Sequence, residues 1–574
     1  MARTVRSPIV VASAAALLAA CACRGSEPAP PSASGAVRGG ELTASTRSEP
    51  ATYNRFAPTG AHAAIELVTT LTQARLVRVN RVSDELEPWL AEKWSLGADG
   101  VSYTVTLREG VTFSDNHPLS SADVIFSFRA AYDPAVQSAL DAALRVDGRP
   151  LEAAAVDPRT VVIKFPAPFA PGLRLVENLP ILPKHKLEAL LADGTFASAW
   201  SPATPLAEIV GLGPFVLAEH VAGQRLVFTR NPHYFRKDPA GVQLPYLDAL
   251  TLAVVPDQNT EALRLEAGAI DLMANADIRP QDHARFKRLA DQGRLKMYDV
   301  GVGLDPDFLA FNLRADRARR GTAAWLQRKA FRQAVSCGVD REAIVNAVYL
   351  GAAVPIYGPV SPDNTRWFSA VTPECTFDRE RARRTLASIG LTDRNADGVL
   401  DDEAGKPVRF SIMTQAGHLR ERVSSVLQAQ LRQLGLAVDI VALDPGGLFK
   451  RWSAGDYDAA YFGLQASSRD PALNPDFWTS SGPFHFWNPG QPKPATPWEA
   501  RIDALMREQA VAPDMARRQQ AFADVQRILG DELPSIYFVA PRVTVATTPK
   551  VSGAAPALQI PHLLWNADSL AVAR

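Results

Sequence analysis

The sequence predicts an α/β protein, and this prediction depends on three observations. Apolar residues at helical spacing run from Leu419 to Leu434, Gly435 stops this helix, and an apolar run typical of a buried strand follows at 436–441. Residues 332–348 lie in a similar alternation of helix and strand. The chain of 574 residues is 47% hydrophobic, which is enough to bury cores in two or three lobes. Helices that alternate with strands pack on the sheets that those strands form.

Residues 101–128 carry two local signals. Apolar residues alternate with polar ones from Val101 to Leu107, a turn follows at 109–110, and the alternation resumes at 111–113. This pattern predicts a half-buried β-hairpin. Ser120 and Asp123 have the spacing of a capping box ahead of an apolar stretch, so we expect a helix to begin there.

The N-terminus predicts export and lipid anchoring. Residues 1–20 combine two arginines with an apolar run that is too short to span a bilayer, as in a signal peptide. The sequence LAAC at 18–21 resembles a bacterial lipobox, in which Cys21 would carry the lipid; the alternative is an ordinary signal with an incidental cysteine. Residues 21–39 are rich in Pro, Gly, Ser and Ala, which indicates a flexible tether. We therefore expect a protein held by lipid at the periplasmic or extracytoplasmic face of a membrane.

Charge and cysteine content narrow the possible partners. Lys plus Arg and Asp plus Glu are 61 each, so nothing favours binding to nucleic acid. Beyond the N-terminal segment the cysteines are Cys337 and Cys375. An exported protein can join two such residues, but the sequence leaves open whether these two pair.

An ordered series of short motifs resembles the bacterial extracellular solute-binding proteins of family 5, which include the oligopeptide- and dipeptide-binding proteins. The first half of the chain carries LEPWLAEKW at 86–94, LREGVTF at 107–113, SADV at 121–124, ILPKH at 181–185, GLGPF at 211–215, NPHYF at 231–235 and GAID at 268–271. The second half carries FN at 311–312, RQA at 332–334, DRE at 340–342 and DELP at 531–534. Each motif alone is short, and their order makes the resemblance specific.

The resemblance implies a two-lobed fold of the periplasmic-binding-protein type II kind, with a hinge and an additional domain inserted near the N-terminus. We expect lobe I at 40–75, 205–305 and 530–574, the inserted domain at 76–204, and lobe II at 306–529. It further implies a monomer that needs no cofactor, binds a small peptide-like solute by closure of its lobes, and delivers it to the permease of an ABC transporter. A solute favours the closed state because only there does it touch both walls.

The resemblance also indicates a ligand site. In peptide-binding relatives, the stretch that corresponds to 457–471 carries Gly-Trp and then an acid that pairs with the ligand's amino terminus. Here Leu464 stands in place of the tryptophan and Ser467 in place of the acid. Asp470 could supply the missing carboxylate, and Arg469 could bind a carboxylate or phosphate, although a structural salt bridge explains Arg469 equally well. The substrate class therefore stays broad.

Residues 470–498 are rich in aromatic residues and proline, and we interpret them as a long surface loop. The aromatic residues of this loop include Phe484 and Trp487, which we propose as ligand contacts. The alternative is that they only pack the loop. His485 between them is typical of a hydrogen-bonded structural group.

Three alternatives remain. Asp393, Asn395, Asp397 and Asp401 reproduce the first half of a calcium loop, but Ala404 occupies the position of the bidentate glutamate, so we favour a solvated turn. An exported hydrolase is the rival class, and we expect no enzyme because the sequence has no Gly-x-Ser-x-Gly or His-Glu-x-x-His motif. Within the binding class, an oligosaccharide, an opine or a metal chelate could replace the peptide.

Overall fold

The computed structural model describes residues 38–59, 63–315, 324–370, 375–417, 419–463 and 470–573. The predicted signal peptide and nearly all of the tether, with Cys21, lie outside these residues. So do Ser467 and Arg469.

The strands are, in chain order, β1 (Glu41–Thr46), β2 (Val77–Val79), β3 (Leu86–Pro88), β4 (Ala91–Leu96), β5 (Ser102–Leu107), β6 (Arg145–Val146), β7 (Arg149–Pro150), β8 (Glu152–Asp157), β9 (Thr160–Lys164), β10 (Phe215–Val221), β11 (Arg225–Arg230), β12 (Ala249–Val254), β13 (Leu272–Met273), β14 (Lys296–Val302), β15 (Phe308–Phe311), β16 (Ala353–Pro355), β17 (Arg409–Gln415), β18 (Ala437–Leu443), β19 (Ala459–Phe462), β20 (Ser535–Tyr537), β21 (Val539–Thr547), β22 (Val551–Ser552) and β23 (Ala571–Val572).

The α-helices are α1 (Ala63–Thr72), α2 (Ser121–Tyr132), α3 (Lys184–Ala192), α4 (Gln258–Glu266), α5 (Pro280–Asp291), α6 (Lys329–Gly338), α7 (Arg341–Tyr349), α8 (Arg379–Ser388), α9 (Leu419–Arg432), α10 (Pro445–Ser453), α11 (Pro475–Trp478), α12 (Pro497–Val511) and α13 (Met515–Glu532). Among the described residues, no helix combines the length and the apolar character that crossing a membrane requires.

Three sheets organise these elements. An eight-stranded sheet has the order β10-β11-β12-β1-β13-β21-β14, with β16 paired to β21. A five-stranded sheet has the order β18-β17-β19-β15-β20, in which β17 runs parallel to β18 and β19. A four-stranded antiparallel sheet, β4-β5-β9-β8, is built from residues of the predicted inserted domain. Helices between strands give the α/β class that the sequence predicts.

The chain crosses between the two larger sheets at two neighbouring places. Residues 303–307 lead from β14 to β15, and Phe538 leads from β20 back to β21. The crossings lie side by side, because the Gly303 amide donates to the carbonyl of Pro541 at 2.8 Å. Short connections of this kind can act as a hinge.

The crossing at Phe538 corrects one predicted boundary. We placed the return to lobe I at residue 530, but β20 pairs with β15 in the five-stranded sheet. The sequence could not show this because strand pairing over such a distance leaves no local signal. The other domain boundaries stay predictions.

Two of the local predictions are confirmed. Helix α2 begins at Ser121, and the Ser120 amide donates to the Asp123 carboxylate at 2.9 Å, as a capping box requires. Helix α9 ends before Gly435, which has a φ of +82°, and β18 follows at once. Gly435 is required here because a residue with a side chain rarely adopts this φ.

The predicted hairpin at 101–113 is wrong in its second half. Strand β5 forms as expected, but its two edges pair with β4 and β9. Residues 111–113 therefore have no free edge on β5. They form a separate turn, in which the Phe113 amide donates to the carbonyl of His117 at 2.8 Å.

Apolar cores lie on both sides of the crossings. One continuous core joins the eight-stranded and four-stranded sheets, with Leu42, Val105 and Leu250 fully buried. A second core packs α6, α7 and α9 against the five-stranded sheet. The sequence left open whether Cys337 and Cys375 pair. In the structure they form a disulfide, with their Cα atoms 5.5 Å apart.

Candidate functional site

A cleft of about 1420 Å³ lies between the eight-stranded sheet, the helices of the five-stranded sheet and part of the predicted inserted domain. Its walls include Thr46 and Thr544 in the eight-stranded sheet, Tyr349 and Arg420 on helices of the five-stranded sheet, and Arg81 in the turn between β2 and β3. The volume exceeds the range of about 300–1,000 Å³ that is typical of small-molecule sites. The cleft can therefore enclose a solute larger than a single amino acid.

An ion-pair cluster forms one wall of the cleft. Glu66, in the first turn of α1, accepts from Arg55 Nε at 2.8 Å and also binds Arg75. Burial alone would raise the pKa of the Glu66 carboxyl, but the two arginines outweigh burial and hold this pKa below its ordinary value. Glu66 is therefore ionised at neutral pH, and it fixes both guanidinium groups at the wall.

A second pair fixes the opposite wall to the hinge. Arg420, in the first turn of α9, donates from Nε to both oxygens of Asp307 at 3.0 Å. Asp307 lies in the 303–307 crossing, so this pair ties α9 to the hinge. Burial would lower the pKa of Arg420, but the Asp307 charge raises it above its ordinary value.

Arg366 bridges the two sides outside the hinge. Its guanidinium binds Glu85 and lies 3.5 Å from an oxygen of Asp84, whose other oxygen pairs with Arg174 at 2.6 Å. Asp84 and Arg174 both line the cleft. Charged contacts of this kind can form and break as two lobes close and open.

A third part of the wall comes from the chain after β21. His562 is buried, and its Nδ1 lies 2.7 Å from the carbonyl oxygen of Ala557. Burial lowers the pKa of His562 and outweighs the opposing effects of the Ala557 contact and of Asp277. The imidazole is therefore neutral at pH 7. Arg81 lies nearby and donates from Nη1 to Gln559 Oε1 at 3.1 Å.

Of the predicted ligand contacts, the structure describes Asp470, Phe484 and Trp487, and none of these three lines the cleft. Asp470 is 5% exposed, and Arg518 donates to its two carboxylate oxygens at 2.7 and 2.9 Å. Trp487 is 2% exposed, and its indole donates to Glu499 at 3.1 Å. Phe484 packs against a buried aromatic cluster around Phe308 and Phe486. Their contact with a solute stays a prediction.

The interpretation of 470–498 as a surface loop is wrong for its buried half. Phe486, Trp487 and His485 are each 2% exposed or less. His485 binds Glu499 at 3.1 Å, as expected of a structural histidine. These aromatic side chains are buried because they pack against α12 and the five-stranded sheet. An irregular backbone alone therefore did not indicate an exposed loop.

The four candidate calcium ligands lie in a turn whose residues form hydrogen bonds with one another. Asn395 Nδ2 donates to Asp397 at 3.0 Å, and the Gly398 amide donates to Asp393 at 3.0 Å. Asp401 accepts from the Arg394 amide at 3.1 Å. Within the described ranges, no three His, Cys, Asp or Glu side chains stand close enough to hold a metal ion. The favoured interpretation of these residues as a solvated turn, with calcium as the alternative, stays a prediction.

Sequence reasoning missed Arg81, Asp277 and His562. These residues lie far apart in the chain and belong to no motif, so no local signal marks them. Only the folded chain brings them to one cleft.

The fold and the cleft define a class of protein that encloses a solute between two hinged lobes. The sequence profile of bacterial extracellular solute-binding proteins, family 5 Middle, matches residues 85–486. The chain therefore belongs to family 5 of the bacterial extracellular solute-binding proteins, as the motifs indicated. Membership in this family implies a location outside the cytoplasm and work with an ABC transporter.

Individual relatives support this assignment. A protein of Deinococcus radiodurans named a probable ABC transporter-binding protein is 27% identical over 88% of this chain and 87% of its own length. The oligopeptide-binding protein AppA of Bacillus subtilis, solved with a nonapeptide, has a TM-score of 0.71 and 23% identity over 94% of this chain and 100% of its own. NikA of Brucella suis, solved with Fe(III)-EDTA, has a TM-score of 0.76 and 21% identity over 93% of this chain and 100% of its own. The last two show that the fold is shared.

Proposed function

We propose that this protein captures peptides or peptide-like solutes in the cleft and delivers them to the permease of an ABC transporter. The cleft is the observation that carries the proposal, because its walls come from both sides of a two-segment hinge. A solute that touches both walls binds the closed state more tightly than the open one, so binding drives closure. The permease can then distinguish the loaded protein by its shape.

The chemistry of the walls supports a polar solute. Ion pairs such as Glu66 with Arg55 and Arg420 with Asp307 line the cleft and hold donors and acceptors at fixed positions. Peptides present amide groups, a terminal ammonium and a terminal carboxylate, which such walls can bind. A relative with this fold was solved with a nonapeptide.

We further propose that the protein acts as a monomer anchored by lipid on Cys21. The residues that precede the fold have the composition of a tether. Binding and release need no covalent step, so we propose that the protein is not an enzyme and needs no cofactor.

Thermal-shift measurements on the purified protein test the proposal. A panel of short peptides, oligosaccharides, opines and metal chelates is added in turn, and a ligand that binds the native state raises the melting temperature by a few degrees. We expect this rise with peptides. A rise only with sugars, opines or chelates would support the cleft as a binding site but would contradict peptides as its ligands.

Two serine variants locate the binding. Ser425 and Ser388 are both exposed on helices and donate to a carbonyl of their own helix, but only Ser425 lines the cleft. Ser425→Trp should reduce the thermal shift by narrowing the cleft, whereas Ser388→Trp should leave it unchanged. Equal shifts in both variants would mean that the solute binds elsewhere.

A further inference from the structure

Chain segments that belong to two separate cores meet beside the cleft, outside the hinge. Residues 80–85 form the turn between β2 and β3, which pack in the continuous core of the eight-stranded and four-stranded sheets. Arg366 precedes Trp367, which packs in a different core against Phe522 of α13. The Arg366 carbonyl also accepts from Gln519 Nε2 of α13 at 2.7 Å. Arg366 is therefore fixed to α13, and the 80–85 turn is fixed to the other side of the cleft.

Asp84 is held rigidly in this turn, and one of its oxygens is unused. Its amide donates to the Asn80 carbonyl at 2.8 Å, and Arg174 donates to its Oδ1 at 2.6 Å and to its carbonyl oxygen at 2.7 and 2.9 Å. The other carboxylate oxygen, Oδ2, is buried and accepts no hydrogen bond from the described residues. A buried carboxylate oxygen without a donor is unfavourable, so Asp84 favours any movement that brings a donor closer.

Arg366 is the donor that faces this oxygen. Its Nη1 lies 3.5 Å from Asp84 Oδ2, whereas a hydrogen bond between charged groups is usually about 2.7–2.9 Å long. Nη2 of the same guanidinium already binds Glu85, the next residue of the turn. One guanidinium thus faces two neighbouring acids across the gap, and a shift of about 0.7 Å would complete the second hydrogen bond.

A backbone contact joins the same two cores at another place. The Ala170 amide donates to the Ala510 carbonyl at 2.7 Å. Ala170 lies just before Leu173, which is buried in the core of the two sheets, and Ala510 lies on α12, whose Leu505 is buried in the core of α12 and α13. The two sides of the cleft are therefore joined by groups of the chain itself at two places outside the hinge.

We propose that Arg366 forms an electrostatic latch with Asp84 and Glu85, which draws the two sides of the cleft together independently of any solute. The latch stabilises the closed state by completing the hydrogen bond to Asp84, and so increases the closed fraction before a solute arrives. A solute that requires the closed state is then bound more tightly, because less of its binding free energy is needed for closure. The inference rests on the proposed function for hinged closure of the cleft, and adds a way to regulate it.

The exposure of these charges makes the latch sensitive to salt. The side chains of Glu85 and Arg366 are 64% and 27% exposed, so dissolved ions screen their attraction. The Asp84 side chain is 7% exposed and is screened less. The closed fraction should therefore decrease as the ionic strength rises, without falling to zero.

Small-angle X-ray scattering of the purified protein tests the latch, once native mass spectrometry shows that no solute is bound. Two salt concentrations are compared, about 0.1 M and about 1 M, between which the screening length falls from about 10 to about 3 Å. The unmodified protein should have the smaller radius of gyration at the lower concentration. Arg366→Gln should have the larger radius at both concentrations, whereas Arg366→Lys, which retains the charge, should lie closer to the unmodified protein.

Glu85→Gln removes the other partner of the latch and should likewise increase the radius at the lower salt concentration. Because Glu85 is exposed, its replacement leaves every core intact. Arg527→Gln is the matched control, since Arg527 pairs with Asp524 and Asp531 of its own helix. This variant loses the same charge as Arg366→Gln and should keep the radius of the unmodified protein.

The latch is refuted if Arg366→Gln and Glu85→Gln keep the radius of the unmodified protein at the lower salt concentration. A lower melting temperature of Arg366→Gln with that unchanged radius would assign Arg366 a structural role instead. The proposed function fails separately, if no solute raises the melting temperature of the unmodified protein. The scattering measurement needs no added solute, so the two failures are distinguishable.

Discussion

Arg518 holds the carboxylate of Asp470 with two hydrogen bonds of 2.7 and 2.9 Å in the interior of the protein. The guanidinium also donates from Nε to the Gln509 carbonyl at 2.8 Å, which fixes it between α12 and α13. Asp470 therefore joins the start of the 470–498 segment to two helices. This is a structural role that the sequence did not indicate.

Removing this carboxylate should destabilise the fold. Asp470→Ala leaves the guanidinium of Arg518 buried without its partner, and breaking a buried pair costs about 3–5 kcal/mol of unfolding free energy. Urea denaturation measures this loss. Asp524→Ala, which removes one of the two acids that pair with Arg527 at the surface, is the control and should cost less than about 1 kcal/mol. A similar small loss for Asp470→Ala would contradict the structural role.

Glu499 should make stability depend on acid pH. Burial would raise the pKa of its carboxyl, but hydrogen bonds from His485, Thr496 and Trp487 lower this pKa to about 2. A carboxyl whose pKa falls on folding stabilises the native state above its unfolded value of about 4.5, and that contribution is lost as pH falls toward about 2. The full contribution is on the order of 3 kcal/mol.

Unfolding in urea at a series of pH values between 5 and 2 measures this effect. Glu499→Gln should be less stable at pH 5, and its stability should fall less steeply toward pH 2 than that of the unmodified protein. Parallel curves for the two proteins would show that Glu499 does not carry this pH dependence.

The sequence could predict local features of the fold and the family. A capping box at Ser120 and Asp123 predicted α2, because the signal and the structure lie within the same few residues. The ordered motifs predicted the two-lobed architecture. The second half of the 101–113 hairpin was wrong because β5 pairs with β4 and β9, and partners so far along the chain leave no mark on the local pattern.

The cleft was harder to predict for the same reason. Aromatic residues such as Trp487 could equally have lined a cleft or filled a core, and burial, which decides between the two, is a property of the fold. Arg81 and His562 come from distant segments, and their proximity depends on the turn at 557–562. A pattern of residue types could not reveal which charged side chains line one cleft, because this is known only once every neighbour is placed.

Replacing Cys21 should release the protein from the membrane. Cys21→Ala removes the proposed site of lipid attachment, and the tether separates it from the fold, so the released protein should bind solute with unchanged affinity. Membrane fractionation followed by thermal-shift measurement checks both expectations. Cys23→Ala is the control and should stay with the membrane. If Cys21→Ala also stays there, the lipobox interpretation is wrong.

Native mass spectrometry of the protein purified from the cells that produce it tests the central claim most directly, because it identifies what the cleft has captured. We predict additional masses that match peptides and that disappear when the protein is denatured. Bound masses that match only sugars or metal chelates, together with no uptake of added short peptides, would contradict the account.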